Sequence, residues 1–122
     1  MTALPARGDA VSLTRALVAI DSRNPSLVAG GPGERACADL LAATLTQWGF
    51  RVELQATDAA RPNVIARIGR AGGRTLLFNG HLDTVGVEGM VHPPWDADMR
   101  NGRLFGRGAT DMKGGVGAMC AA

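Results

Sequence analysis

The sequence predicts an α/β fold, and three observations carry that prediction. Apolar residues recur at helical spacing in two stretches before residue 49. The period then switches to alternation from Phe50. Beyond Gly80 turn residues dominate, which reads as loops carried on a scaffold of helices and strands.

The first helix is expected from Asp9 to about Ile20. Asp9 suits an N-cap, because its carboxylate can accept from the free N–H groups of the first turn. Leu13, Leu17 and Ile20 share one face, and Ser22-Arg-Asn-Pro25 breaks the helix. Val28 to Gly33 reads as a loop. A second helix is expected over Glu34 to Trp48, with Cys37, Leu40, Leu41, Leu45 and Trp48 on one stripe and Gly49 as its stop. Phe50, Val52 and Leu54 alternate with Arg51 and Glu53, giving a half-buried strand. Asn63–Ile68 and Thr75–Asn79 are two further strand candidates. The Gly-rich link at 69–73 would join them as a hairpin. Met112 to Ala122 is expected to begin a last helix. It ends apolar and uncapped, so the chain is expected to be a fragment or a truncated product.

Composition narrows the function classes. The chain has 122 residues, 46% apolar and 20% charged, the balance of a globular chain and not a disordered one. The length suits one domain, taken as 1–122 and as partial. Seventeen glycines and six prolines stay below the content of a low-complexity chain. A net charge of +2 with interspersed signs suggests neither a nucleic-acid partner nor a membrane surface. No apolar run is long enough to span a bilayer, and the first seven residues do not read as a signal peptide. Cys37 and Cys120 make no metal or disulfide pattern, so reduced thiols and a cytoplasmic setting are expected.

Two constellations carry chemistry. The first is Gly80-His81-Leu-Asp83-Thr84, directly after the apolar run Leu76-Leu77-Phe78. Residues i and i+2 of a strand point to one side, so His81 and Asp83 can converge. A His can give one ring nitrogen to a metal while a carboxylate holds the other. On spacing alone the pair reads equally as a strand-end His bonded to its neighbour. The second is Gly106-Arg-Gly-Ala-Thr-Asp111-Met-Lys-Gly-Gly115. Asp111 stands at a loop-to-helix junction, where an N-capping Asp is the ordinary occupant. The glycines do not make a phosphate loop: Lys113 is followed by Gly114, and Asp111 stands where the dinucleotide pattern needs Gly. A carboxylate there favours a cation over an anion.

Together the two segments resemble the N-terminal portion of the M20 family of metallopeptidases, which includes acetylornithine deacetylases, succinyl-diaminopimelate desuccinylases and aminoacylases. Trp48-Gly-Phe50 and Arg61-Pro-Asn-Val64 are similar too, so the resemblance covers nearly the whole chain. It implies the N-terminal part of a zinc-peptidase-like, hydrolase-like catalytic domain, with a mostly parallel sheet flanked by helices. It implies two Zn2+ ions per active site, with Co2+ as an alternative. His81 would ligate one metal and Asp111 would bridge both. Asp83 would be the catalytic-site residue that orients His81 and raises its basicity. The Asp111–Met112 peptide falls where the family often has a cis bond. A bridging carboxylate is the physically apt group, since paired ions sit roughly 3.5–4 Å apart.

The implied reaction is amide hydrolysis by metal-activated water. The implied substrate is a small N-acylated amino acid or peptide, and a homodimer of the full-length protein goes with the family. The family's general-base Glu and its remaining ligands lie beyond residue 122. The alternative is therefore a catalytically inactive truncated fragment, since two ligands hold zinc weakly. A third reading is a module whose Gly-rich loops bind a small anion. His92, beside Pro93-Pro94, and Glu88, in a Gly-rich turn, are expected to stay outside the site. Arg107 is expected to pair with an acid near the metal loop more than to touch substrate. Trp48 and Trp95 are expected to pack.

Overall fold

Two helices form where the caps and stripes place them. The computed structural model describes residues 3–56 and 58–122. Helix α1 spans Ala10–Val18. Asp9 caps it by accepting from the Ser12 N–H at 2.9 Å and the Ser12 hydroxyl at 2.6 Å. Helix α2 spans Arg35–Gln47. It stops in a left-handed turn at Gly49, where φ is +93°. There the Gly49 N–H donates to the Thr46 carbonyl and the Phe50 N–H to the Leu45 carbonyl, which satisfies two otherwise orphaned acceptors. Leu13 and Leu17 of α1 pack with Cys37, Leu41, Leu45 and Trp48 into one core. The Trp48 indole N–H is also paired, donating to the Pro5 carbonyl at 2.9 Å.

Strands β1, Arg51–Gln55, and β2, Asn63–Arg67, pair antiparallel, with Arg51 opposite Arg67 and Gln55 opposite Asn63. Val52, Val64 and Ala66 turn one face of this pair onto the core. The loop between the strands is tied to the start of α2. The Glu34 and Arg35 N–H groups both donate to the Ala60 carbonyl at 3.0 Å. Arg61 meets the mostly buried Glu34 carboxylate at 2.8 Å.

The expected hairpin between Asn63–Ile68 and Thr75–Asn79 does not form. β2 takes β1 as its partner instead. Residues 75–79 are not a strand, and Leu76, Leu77 and Phe78 are 78%, 84% and 53% exposed. An apolar run carries a strand signal whether or not a neighbour lies beside it, and among the described residues none pairs with this one. The α/β class is found, but the mostly parallel sheet is not seen among the described residues. Both two-stranded sheets are antiparallel. Parallel neighbours need a crossover between them. The parallel contact described is the isolated bridge Arg23–Thr84, with α2, β1 and β2 in the connection.

A second hairpin was not anticipated. β3, Asp98–Arg100, and β4, Arg103–Phe105, pair across Asn101-Gly102. Both turn residues have positive φ, +51° and +74°, the conformation Asn-Gly favours in two-residue hairpins. Helix α3, Gly114–Ala121, then lies against α1. A Cβ on Gly117 would run into Thr14 Oγ1 and lie 2.9 Å from the Ala10 carbonyl, so the helices meet through glycine. No helix among the described residues is long and apolar enough to cross a membrane.

Candidate active site

The exit of α1 organises the site. Residues 22–24 follow that helix and lie beside 82–84. The Thr84 N–H donates to the Ser22 carbonyl at 3.0 Å, and the Asn24 N–H donates to the Thr84 carbonyl at 2.8 Å. The buried Ser22 hydroxyl adds a 2.7 Å bond to the Leu82 carbonyl. The Asn24 side-chain amide reaches Asp83 Oδ2 at 2.8 Å. His81 and Asp83 are thus fixed by backbone and side-chain ties to one short segment, not by a strand.

Asp111 comes from the turn Ala109–Lys113, which leads into α3. The turn starts after Gly108, whose φ is +84°. A Cβ there would stand 2.7 Å from Thr84 Cγ2, so the turn sits directly on the His81 segment. Asp111 and Met112 leave helical geometry, and the peptide between them is cis, as the family resemblance implied. Lys113 is buried beneath the turn, and burial pushes its pKa below the ordinary lysine value.

These elements bring the three expected residues together. His81 Nε2 lies 2.9 Å from Asp111 Oδ1. His81 Nδ1 lies 3.0 Å from the Asp83 carbonyl and 3.2 Å from Asp83 Oδ1. Partial burial alone would lower the imidazole pKa. The bond to Asp111, the bond to the Asp83 carbonyl and the two nearby carboxylates outweigh it, and the pKa rises above 6.5. Both ring nitrogens face acceptors. Where Nε2 meets Asp111, the donors, an imidazole nitrogen and a carboxylate oxygen, suit a divalent cation, with a second carboxylate fixing the far side of the ring. Asp111 is open to solvent, with its side chain 84% exposed. Among the described residues no group of three His, Cys, Asp or Glu side chains is placed to hold a metal ion. His81 and Asp111 are a pair of candidate ligands, not a closed cage.

A cavity of about 220 Å³ opens on the pair, lined also by Asp83, Thr84, Arg107 and Thr110. Arg107 forms no ion pair with an acid among the described residues, contrary to expectation. Its Nε is buried without a hydrogen-bond partner. His92 stays outside this cavity, edge-on to Phe105 at 5.5 Å between ring centres. Trp95 lies under the Arg23 guanidinium at 5.4 Å. Both cysteines are free. Sequence reasoning missed Asn24 and Lys113. Asn24 stood in a segment read only as a helix breaker. Lys113 stood inside the motif and carried no signal of burial.

Residues 77–122 match the model of Peptidase family M20/M25/M40, a span that takes in His81, Asp83 and Asp111. The matched segment is similar to the M20 family. The chain is also similar to a protein named succinyl-diaminopimelate desuccinylase from Gluconacetobacter diazotrophicus. Identity is 39%, over 97% of this chain and 30% of the relative. A protein of the same name from Methylorubrum populi is 40% identical, over 92% of this chain and 29% of the relative. The chain therefore spans about 30% of the length of these relatives. The M20 match and the His81–Asp111 contact fall in the same segment, although that segment was read as strand plus loop and is a loop throughout up to β3.

Proposed function

We propose that this chain is the N-terminal part of the catalytic region of a metal-dependent amide hydrolase acting on small N-acylated amino acids. The observation that carries the reading is the 2.9 Å approach of His81 Nε2 to Asp111 Oδ1 inside the M20 segment. His81 and Asp111 are the proposed ligands, and zinc, two ions per site, is the proposed metal. When bound, the ions supply Lewis-acid activation of the amide carbonyl and of water.

The chain's own residues then have distinct tasks. Asp83 holds Nδ1 and leaves Nε2 as the nitrogen directed at Asp111. Asp111 offers two oxygens and an open approach. Arg107 lines the same cavity and forms no ion pair among the described residues, so it can receive a carboxylate on the substrate. That favours an acidic acyl group such as succinyl, in keeping with the names of the two relatives. Zinc held tightly takes about four ligands, and the others are assigned to regions of the relatives that this chain does not span. Leu76–Phe78, exposed here, is the proposed inner strand of the mostly parallel sheet in the whole protein. A cytoplasmic setting goes with the two free cysteines.

The test is hydrolysis by the full-length protein of N-succinyl-amino acids, N-acetyl-amino acids and dipeptides, with zinc and after chelation. Zinc-dependent release of succinate is expected. No hydrolysis of any of the three with zinc supplied would overturn the reading.

A further inference from the structure

Lys113 is 1% exposed, and lysines are almost never buried without partners. Its ammonium donates to the Leu17 carbonyl and to the Ile20 carbonyl, each at 2.8 Å. Leu17 lies in the last turn of α1 and Ile20 two residues past its end, where the helix dipole favours a cation. Its backbone N–H closes the turn on itself, donating to the Gly108 carbonyl at 2.8 Å. The stem runs beneath Gly108, where an added Cβ would stand 3.2 Å from Lys113 Cδ.

The other half of the site rests on the same base. Ser22 and Asn24, just past α1, hold Leu82, Asp83 and Thr84. The exit of α1 is thus joined to the His81 segment through residues 22–24 and to the Asp111 turn through one ammonium. We propose that Lys113 is the positioning residue that sets Asp111 against His81, by fastening the Asp111 turn to the end of α1. The inference rests on the metal-ligand reading of the pair only for its zinc readout.

The test uses metal-free full-length protein and three variants. Lys113→Met removes the ammonium while keeping much of the stem. Val116→Ala trims a buried core residue of α3 without touching the turn, and serves as the control for general loosening. Zinc affinity by calorimetry is expected to fall about 10–100-fold in Lys113→Met, the range for residues that support metal ligands. It is expected to stay within about threefold in Val116→Ala, well short of that range. If Lys113→Met gives no folded protein, Lys113→Gln, which keeps a donor for one carbonyl, takes its place. Equal losses in the two variants, or no loss in the Lys113 variant, would overturn the proposal. If native protein binds no zinc, the metal reading fails by itself. The Lys113 proposal is then decided by the His81 imidazole NMR signals of the metal-free protein. They are expected to shift in the Lys113 variant and hold in Val116→Ala, and unshifted signals in the former would contradict it.

Discussion

Asn24 donates to Asp83 Oδ2 at 2.8 Å across 59 residues of sequence, which leaves Asp83 Oδ1 facing the His81 ring at 3.2 Å. The orientation of the imidazole therefore depends on an amide that the motif around His81 does not contain. In the full-length protein, Asp83→Ala is expected to lower zinc affinity about 10–100-fold. Asn24→Ala removes only the support of Asp83. It is expected to lower kcat/KM about 3–10-fold, the worth of one hydrogen bond. Zinc titration of the metal-free Asp83 and Asn24 variants checks the affinity, and steady-state kinetics of both at saturating zinc checks kcat/KM. An Asn24 variant impaired more than the Asp83 variant would reverse the order of dependence.

The contact of α1 with α3 through Gly117 makes a stability prediction. Gly117→Ala forces a methyl group onto Thr14 Oγ1 and the Ala10 carbonyl. Overpacking of this kind costs about 1–3 kcal/mol, more than alanine's better helix propensity returns. Denaturant unfolding of native and variant protein measures it. A Gly117→Ala protein as stable as the native one would mean that the helices separate easily.

Asp21 supplies a pH dependence. Its carboxylate is gripped by Arg23 Nε at 3.0 Å and NH2 at 2.8 Å. Partial burial would raise its pKa, but the Arg23 bonds and the charges of Arg23 and Lys113 outweigh that, and the pKa lies below the ordinary 3.8. The unfolded chain therefore takes up the proton first, and stability rises with pH in this window. The contribution is fully present above pH 3.8 and is lost as pH falls through the folded-state value below it. The stability difference between native protein and Asp21→Asn, followed by acid titration of unfolding, is expected to be steady near neutrality and to shrink only below that point. A difference that grew on acidification would contradict the assignment.

Arg107 predicts a specificity effect. Among the described residues it forms no ion pair, so its charge is available to a carboxylate of the substrate. Arg107→Ala is expected to raise KM for an N-succinyl substrate about 10–100-fold, the worth of a charged hydrogen bond, with little change for the N-acetyl analogue. Equal effects on both substrates would assign Arg107 to the architecture of the loop.

The parts of the fold legible in sequence are those with local causes. Asp9 and Gly49 mark the bounds of the two long helices because caps act within one turn. The apolar stripe of α2 gave its buried face for the same reason. Leu76–Phe78 was misread because strand identity depends on a partner, and a partner is not a local property. The Asn101-Gly102 hairpin was legible in principle, but flanking strands of three residues each leave little alternation to detect. In the site, His81, Asp83 and Asp111 stood out by motif, and the structure brings their side chains together. Asn24 and Lys113 did not stand out, because their partners lie 59 and more than 90 residues away and an Asn or a Lys reads as solvated by default.

The most direct measurement is zinc titration of the metal-free full-length protein beside Asp111→Ala, with hydrolysis of an N-succinyl-amino acid followed in the same samples. The native protein is expected to bind zinc and hydrolyse the substrate, and Asp111→Ala to lose both while remaining folded. An Asp111→Ala protein with native zinc affinity and native turnover would contradict the pairing of His81 with Asp111 as the heart of the site.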